Sequence, residues 1–263
     1  MNAIIVSDLH VGSLYFLYRY FERFLAEIPE DHELILNGDI IDNPYAKLKP
    51  PHQRILDLIS QISYRQRVVW VRGNHDNGYI PKGFGEVLFR RIHAIKQRLL
   101  ITHGDDFDEI KPKNRAFIKA FKLMHNFRVK LGARPVHVAH YAKKWRFFYN
   151  VLRKSVMINA VNCAMENGYE AVTCGHTHYP EDRVLNGIRY INTGAWTELP
   201  LYYLQVTAEE MSLRTIDRSL GVLGAKSFKP DTIKGAHIAY LQASPTLSTT
   251  AICESLDRPA GRL

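Results

Sequence analysis

Asp8 and His10 stand two residues apart at the end of an apolar run, and His176 and His178 repeat that spacing late in the chain. Between the two pairs come Asp39, the neighbours Asn74 and His75, and His103, each just after another apolar run. Carboxylate, imidazole and carboxamide groups are donors for divalent cations, and this set suffices for two ions that share one carboxylate. Mixed oxygen and nitrogen ligation without thiolate suits Mn²⁺, Fe²⁺ or Zn²⁺ better than Cu(I) or an iron–sulfur cluster. A single Asp after a strand is commonly a turn or cap residue, and a lone His is more often structural than a ligand. A series of such clusters, each directly following an apolar run, is not what unrelated turns produce.

The elements that must position these groups are short. Ile4-Ile5-Val6 precedes SDLH, Leu34-Ile35-Leu36 precedes NGDIID, Val68 to Val71 precedes RGNHD, Leu99-Leu100-Ile101 precedes THGDD, and Ala171 to Cys174 precedes GHTH. Continuous apolar runs of this length predict buried strands. Helical spacing at Ile55, Leu58, Ile59 and Ile62, after Pro50-Pro51, predicts a helix, and Val87, Leu88 and Ile92 predict another. Alternating strands and helices argue for an α/β layered architecture. Ligands of open α/β sheets bind beyond the carboxyl ends of the strands, so the clusters can converge there. If strand conformation persists through Asp8 and His10, both side chains project to one face.

At 263 residues, 46% apolar and 23% charged, the composition is that of an ordinary globular protein. No uncharged apolar stretch of about 18 residues occurs, and the start MNAIIVSDLH lacks the pattern of a signal peptide, so a cytoplasmic protein is expected. Cys163, Cys174 and Cys253 have no C-x-x-C spacing, which argues against a disulfide framework or a thiolate zinc site. Thirty-five Lys and Arg against 26 Asp and Glu leave a net charge of +9, which favours anionic partners: phosphates, nucleic acid or an acidic lipid surface. From Ile110 to Met165 there is no Asp or Glu, while Lys, Arg and large aromatics recur. Residues 110–165 are therefore expected to form a basic, aromatic helical insertion, broken near Gly132-Ala133-Arg134-Pro135, within a domain spanning 1–206. Residues 207–263 are expected to add one strand near Met211 to Ile216 and then a turn-rich tail.

The motif order Asp8-Leu9-His10, Gly38-Asp39-Ile40-Ile41-Asp42, Gly73-Asn74-His75-Asp76, His103-Gly104 and Gly175-His176-Thr177-His178 resembles the calcineurin-like metallophosphoesterase superfamily over about residues 1 to 206. The resemblance implies a four-layer α-β-β-α sandwich with two stacked sheets and a binuclear centre. One metal would take Asp8, His10, Asp39 and His178, and the other Asp39, Asn74, His103 and His176, with Asp39 as the bridge. Two metals about 3.5–4 Å apart clamp a phosphoryl oxygen and acidify a water for in-line attack on phosphorus. His75 matches the family position that assists the leaving oxygen or steadies transition-state charge. Asp76 is expected to orient the His75 ring, and Asp42 to accept a hydrogen bond from a ligand histidine. Mn²⁺ is the expected metal, with Fe²⁺ and Zn²⁺ as alternatives.

Within the superfamily the chain is similar to the UDP-2,3-diacylglucosamine diphosphatase group of lipid A synthesis, through His103-Gly104-Asp105, the basic insertion, Gly175 to Pro180 and the return Tyr190 to Trp196. That group carries Arg where His75 stands, and close relatives carry Asp where Ala195 stands. The resemblance implies a lipid-linked diphosphate substrate and contact with the anionic inner face of the membrane, the insertion's aromatics meeting acyl chains and its cations the phosphates. Lys113, Arg115, Lys119 and Lys122 are the candidate substrate cations. A nucleic-acid or nucleotide phosphodiesterase is the alternative, with the insertion as groove and stacking platform. A non-catalytic interaction scaffold on the same fold is the remaining one.

Overall fold

A computed structural model of the protein describes residues 2–79, 82–109, 146–216 and 231–232, together with 119, 123, 124, 127, 128, 130–132 and 143. Its first sheet holds β1 (Asn2–Val6), β2 (His32–Asn37), β3 (Val68–Val71), β4 (Val87–Arg90), β10 (Tyr202–Val206) and β11 (Met211–Thr215), in the order β11-β10-β1-β2-β3-β4. The second holds β5 (Ile92–Ile95), β6 (Leu99–Thr102), β7 (Ala171–Cys174), β8 (Glu181–Leu185), β9 (Ile188–Asn192) and β12 (Asp231–Thr232), in the order β12-β8-β9-β7-β6-β5. Strands β1 to β4 run parallel, as do β6, β7 and β9.

The apolar runs are continuous because both faces of each central strand are buried. Ala3, Ile5, Ile35, Val69 and Val71 meet Ile95, Leu99, Ile101, Ala171 and Ile191 of the other sheet. The intervening Ile4, Val6, Leu34, Leu36, Val68 and Trp70 face α1 (Tyr18–Ala26) and α2 (Pro50–Ser63) through Phe21, Phe24, Ile55 and Ile59. On the far side Leu100, Val172 and Cys174 pack against Val156, Ala160, Val161 and Ala164 of α3 (Arg146–Glu166). The layers are therefore helix, sheet, sheet, helix. Helix α2 begins where expected, with Pro at its first turn, where a missing N–H costs nothing.

The helix expected over Val87, Leu88 and Ile92 is a pair of strands. Val87 pairs with Val68 in parallel, and Ile92 pairs with Thr102 in antiparallel fashion, so β4 closes one sheet and β5 the other, with Arg91 between them. Three apolar residues suit either period, and edge pairing satisfies backbone groups that a helix this short would leave open. Beyond the expected strand, now β11, the chain returns at β12 to pair with β8. About half of the insertion, all of it before α3, and most of the tail lie outside the described residues.

Candidate metal centre

Strands β1, β2 and β3 of one sheet and β6 and β7 of the other end at the same place, and the chemical residues stand in the turns that follow. Asp8, His10, Asp39, His176 and His178 have φ of 52°, 52°, 52°, 62° and 55°. Left-handed conformation is uncommon outside glycine and collects at functional sites, where the surroundings enforce it. Strand conformation thus does not persist through Asp8 and His10 as expected; the chain coils at each residue. The coil is fixed by backbone bonds between turns: Asp8 N donates to Gly38 O, His10 N to Asp39 O, and Trp196 N to Asp8 O.

Two glycines permit the closeness. A Cβ at Gly73 would lie 2.3 Å from Asp39 Oδ1, and one at Gly175 would lie 2.2 Å from Asp8 Oδ2. Neither turn has room for a side chain, which is why glycine precedes the Asn74 and His176 motifs.

Three groups of side chains each bring their ligand atoms within 4.8 Å of one another: Asp8 with His10 and His178, His10 with Asp39 and His75, and Asp8 with Asp39 and His103. Apart from His75 all of these are buried. Their hydrogen bonds test whether they suit a cation. His103 Nδ1 lies 3.2 Å from the Asn37 carbonyl, which can only accept, so the ring proton belongs there. Its Nε2 then turns a lone pair towards Asp39 Oδ2 at 3.3 Å, and this buried nitrogen has no hydrogen-bond partner. A lone pair facing a carboxylate is the arrangement a divalent cation resolves. His176 follows the same logic, because its Nε2 lies 2.9 Å from Asp108 Oδ2 and Nδ1 is left as its donor atom.

Burial alone would raise the Asp8 carboxyl, but His178 beside it brings it down to about 2. Burial likewise opposes ionisation of Asp39, and His103 and His10 outweigh it, holding that carboxyl well below the usual range. Burial would depress His103, and the Asp39 carboxylate drives it up to about 10 instead, so that without a cation Nε2 shares a proton with Asp39 and a bound cation would take that proton's place at the lone pair. The centre is built to keep its carboxylates charged.

A family model described as Calcineurin-like phosphoesterase matches residues 1–180. The chain belongs to the calcineurin-like phosphoesterase family. It is accordingly a metal-dependent phosphoesterase, with residues placed to bind a metal. No curated protein matches it. Among solved structures it is similar to Yfce, a phosphoesterase from E. coli, at 17% identity over 87% of this chain and 100% of that one, with a TM-score of 0.45. A predicted phosphoesterase from Streptococcus pneumoniae matches at 18% identity over 86% and 96%, with a TM-score of 0.39. Zinc-bound Vps29 from Entamoeba histolytica matches at 13% identity over 87% and 97%, with a TM-score of 0.44.

In this phosphoesterase Asp42 Oδ1 lies 3.1 Å from His10 Nδ1, the placement expected of an acceptor for a ligand ring. His75 Nδ1 lies 2.8 Å from the Asp42 carbonyl, and its backbone N–H donates to Asp39 Oδ1. The expected Asp76–His75 contact does not form. Asp76 is buried and accepts from Ile41 N, Gly73 N and Trp70 Nε1, so it braces the turn rather than the ring. Asn74 is the exposed member of the expected ligand set. Lys119 is also exposed, and Lys113, Arg115 and Lys122 lie outside the described residues.

Two residues were not singled out by sequence reasoning. Asp108 sits in GDDFDE, a run of acids in which nothing marks the third as the partner of His176. Asn192 Nδ2 donates to Gly175 O at 2.7 Å and to Thr177 Oγ1 at 3.1 Å, bracing the ligand turn from β9. The return Tyr190 to Trp196 did stand out, though only as a whole.

Proposed function

We propose that the phosphoesterase carries a binuclear centre in which Asp8, His10, Asp39 and His178 hold one divalent ion and Asp39, Asn74, His103 and His176 hold the other. The observation that carries this reading is the overlap of the donor groups, in which Asp39 belongs to one group with His10 and His75 and to another with Asp8 and His103. Mn²⁺ is the proposed metal, and such an ion supplies charge for the phosphoryl oxygen and lowers the pKa of the attacking water. Asp42 and Asp108 hold the protons of His10 and His176 on the nitrogens turned away from the site. His75, half-exposed at the rim beside His10, is the group proposed to assist the leaving oxygen.

For substrate we propose a lipid-linked sugar nucleotide diphosphate of the UDP-2,3-diacylglucosamine type, taken from the inner face of a membrane. Support comes from the acid-free insertion and from a cavity of about 290 Å³ lined by Lys143, Tyr149, Arg153, Tyr179 and Arg183 beside the His176–His178 turn. Arg183 beside the aromatic walls suits a phosphorylated head carrying a ring, the charges of Lys143 and Arg153 being met by Glu198 and Glu181. Among the described residues no helix is long and apolar enough to cross a membrane, so contact with lipid would be from the surface. The test is a hydrolysis screen in Mn²⁺ against UDP-diacylglucosamine, aryl phosphodiesters, nucleotides and single-stranded nucleic acid. Preference for the diacylated sugar nucleotide supports the reading. Preference for nucleotides or single strands transfers it to a nucleic-acid phosphodiesterase, and no hydrolysis in the screen would favour the scaffold.

A further inference from the structure

Peptides held left-handed at His176 and His178 are strained for L-residues and persist only where neighbours over-determine them. Asn192 grips the turn from one side at Gly175 O. The other side is gripped by the end of the insertion. Tyr149, buried on the first turns of α3, donates its hydroxyl to Thr177 O at 2.5 Å. Lys143, just before the helix, donates to His178 O at 2.8 Å and pairs with Glu198. Arg153, one helical turn after Tyr149, lies 3.4 Å from the centre of the Tyr179 ring and pairs with Glu181. Carbonyls 175, 177 and 178 are thus each held by a side chain from outside the turn.

We propose that Tyr149 and Lys143 are positioning residues for the metal centre, holding the peptides of the His176–His178 turn so that both imidazoles meet the metal, and thereby coupling the insertion to metal affinity. The inference rests on the reading of His176 and His178 as ligands. The tyrosine hydroxyl suits the task because burial pushes its ionisation far above the physiological range, so it remains a donor. A carbonyl held from α3 moves with α3, and whatever shifts the insertion reaches the ligands through two hydrogen bonds.

The test compares wild type with Tyr149→Phe, which removes one hydroxyl and keeps the ring, by Mn²⁺ titration and by the absorption spectrum of the Co²⁺-loaded protein. Mn²⁺ affinity should fall roughly five- to tenfold, the worth of one neutral hydrogen bond, and the Co²⁺ spectrum should shift. At saturating metal, kcat on a small aryl phosphodiester should fall while KM stays unchanged. Leu152→Ala serves as the control for general destabilisation, because it trims a buried side chain of the same helix and keeps both hydrogen bonds to the turn: it should lower Tm and cost clearly less Mn²⁺ affinity than Tyr149→Phe. Should Tyr149→Phe not fold, Lys143→Met removes the second bond from a less buried position and is read the same way. Unchanged affinity and spectrum in the variant overturn the inference, as does an equal loss in Leu152→Ala. Failure of the wild type itself to bind Mn²⁺ marks the metal assignment as the part at fault and takes this inference with it.

Discussion

His10 Nε2 and His178 Nε2 lie 3.2 Å apart, in two buried rings that come from opposite sheets. The Asp42 carboxylate beside His10 Nδ1 fixes that ring's proton away from the contact, so His10 turns a lone pair inwards. Asp8 Oδ1 lies 3.2 Å from the same His178 nitrogen. Two imidazoles and a carboxylate gathered around one point could hold a metal ion, and the turns at the strand ends keep them there.

Removing Asp39 should therefore hurt most, because its carboxylate reaches both the His10 and the His103 sides of the centre. Asp39→Ala is expected to lose metal and turnover together, as chelation of the wild type does. Elemental analysis alongside the rate on an aryl phosphodiester decides it. A metal-stripped or Asp39→Ala protein with wild-type rates would sink the binuclear assignment.

His75 is half-exposed and held by the Asp42 carbonyl, which fits the role at the leaving oxygen proposed for it. His75→Ala should lower kcat by roughly 10²–10⁴-fold, the usual worth of general acid–base help, with metal content unchanged. Loss of one metal per chain in this variant would instead make His75 a ligand.

Asp108 holds the Nε2 proton of His176 from a fully buried position. Asp108→Ala frees the ring to adopt the wrong tautomer, and metal affinity or activity should fall roughly 10–100-fold. Titration with Mn²⁺ reads the affinity directly, and an unchanged curve would remove Asp108 from the centre.

His93 on β5 offers a pH test away from the metal. Burial, with Arg67 and Arg90 nearby, pushes its pKa down from 6.5 to about 4. The folded protein prefers the neutral ring, so the unfolded chain binds more protons in this window, and stability should decline as pH falls from about 6.5 towards 4. His93→Gln should flatten that part of the urea-denaturation profile. Parallel profiles for variant and wild type would refute it.

Much of the site was legible in the residues because its signal is local. A buried strand needs an uninterrupted apolar run, and a ligand at its end interrupts that run abruptly, as Val6 to Asp8 and Cys174 to His176 do. Donor types, order and the metal class they suit follow from the same positions, and resemblance to the family supplied the pairing of the sheets. Val87 to Ile92 was misread because six residues carry too little pattern to tell a helix from two edge strands.

Other features depended on contacts between residues far apart in the chain. Nothing near Asp76 in sequence says that its carboxylate serves Ile41 rather than His75, and nothing near Asp108 points to His176. The left-handed turns at Asp8, Asp39 and His176 are imposed from outside, by backbone bonds to Gly38 and Trp196 and by side chains reaching in from β9 and α3. The sequence by itself determined which groups stand at the strand ends, since hydrophobic burial is written residue by residue. Only the tertiary structure decided which way each group faces and which partner holds its proton, since those depend on turns from two sheets meeting at one point.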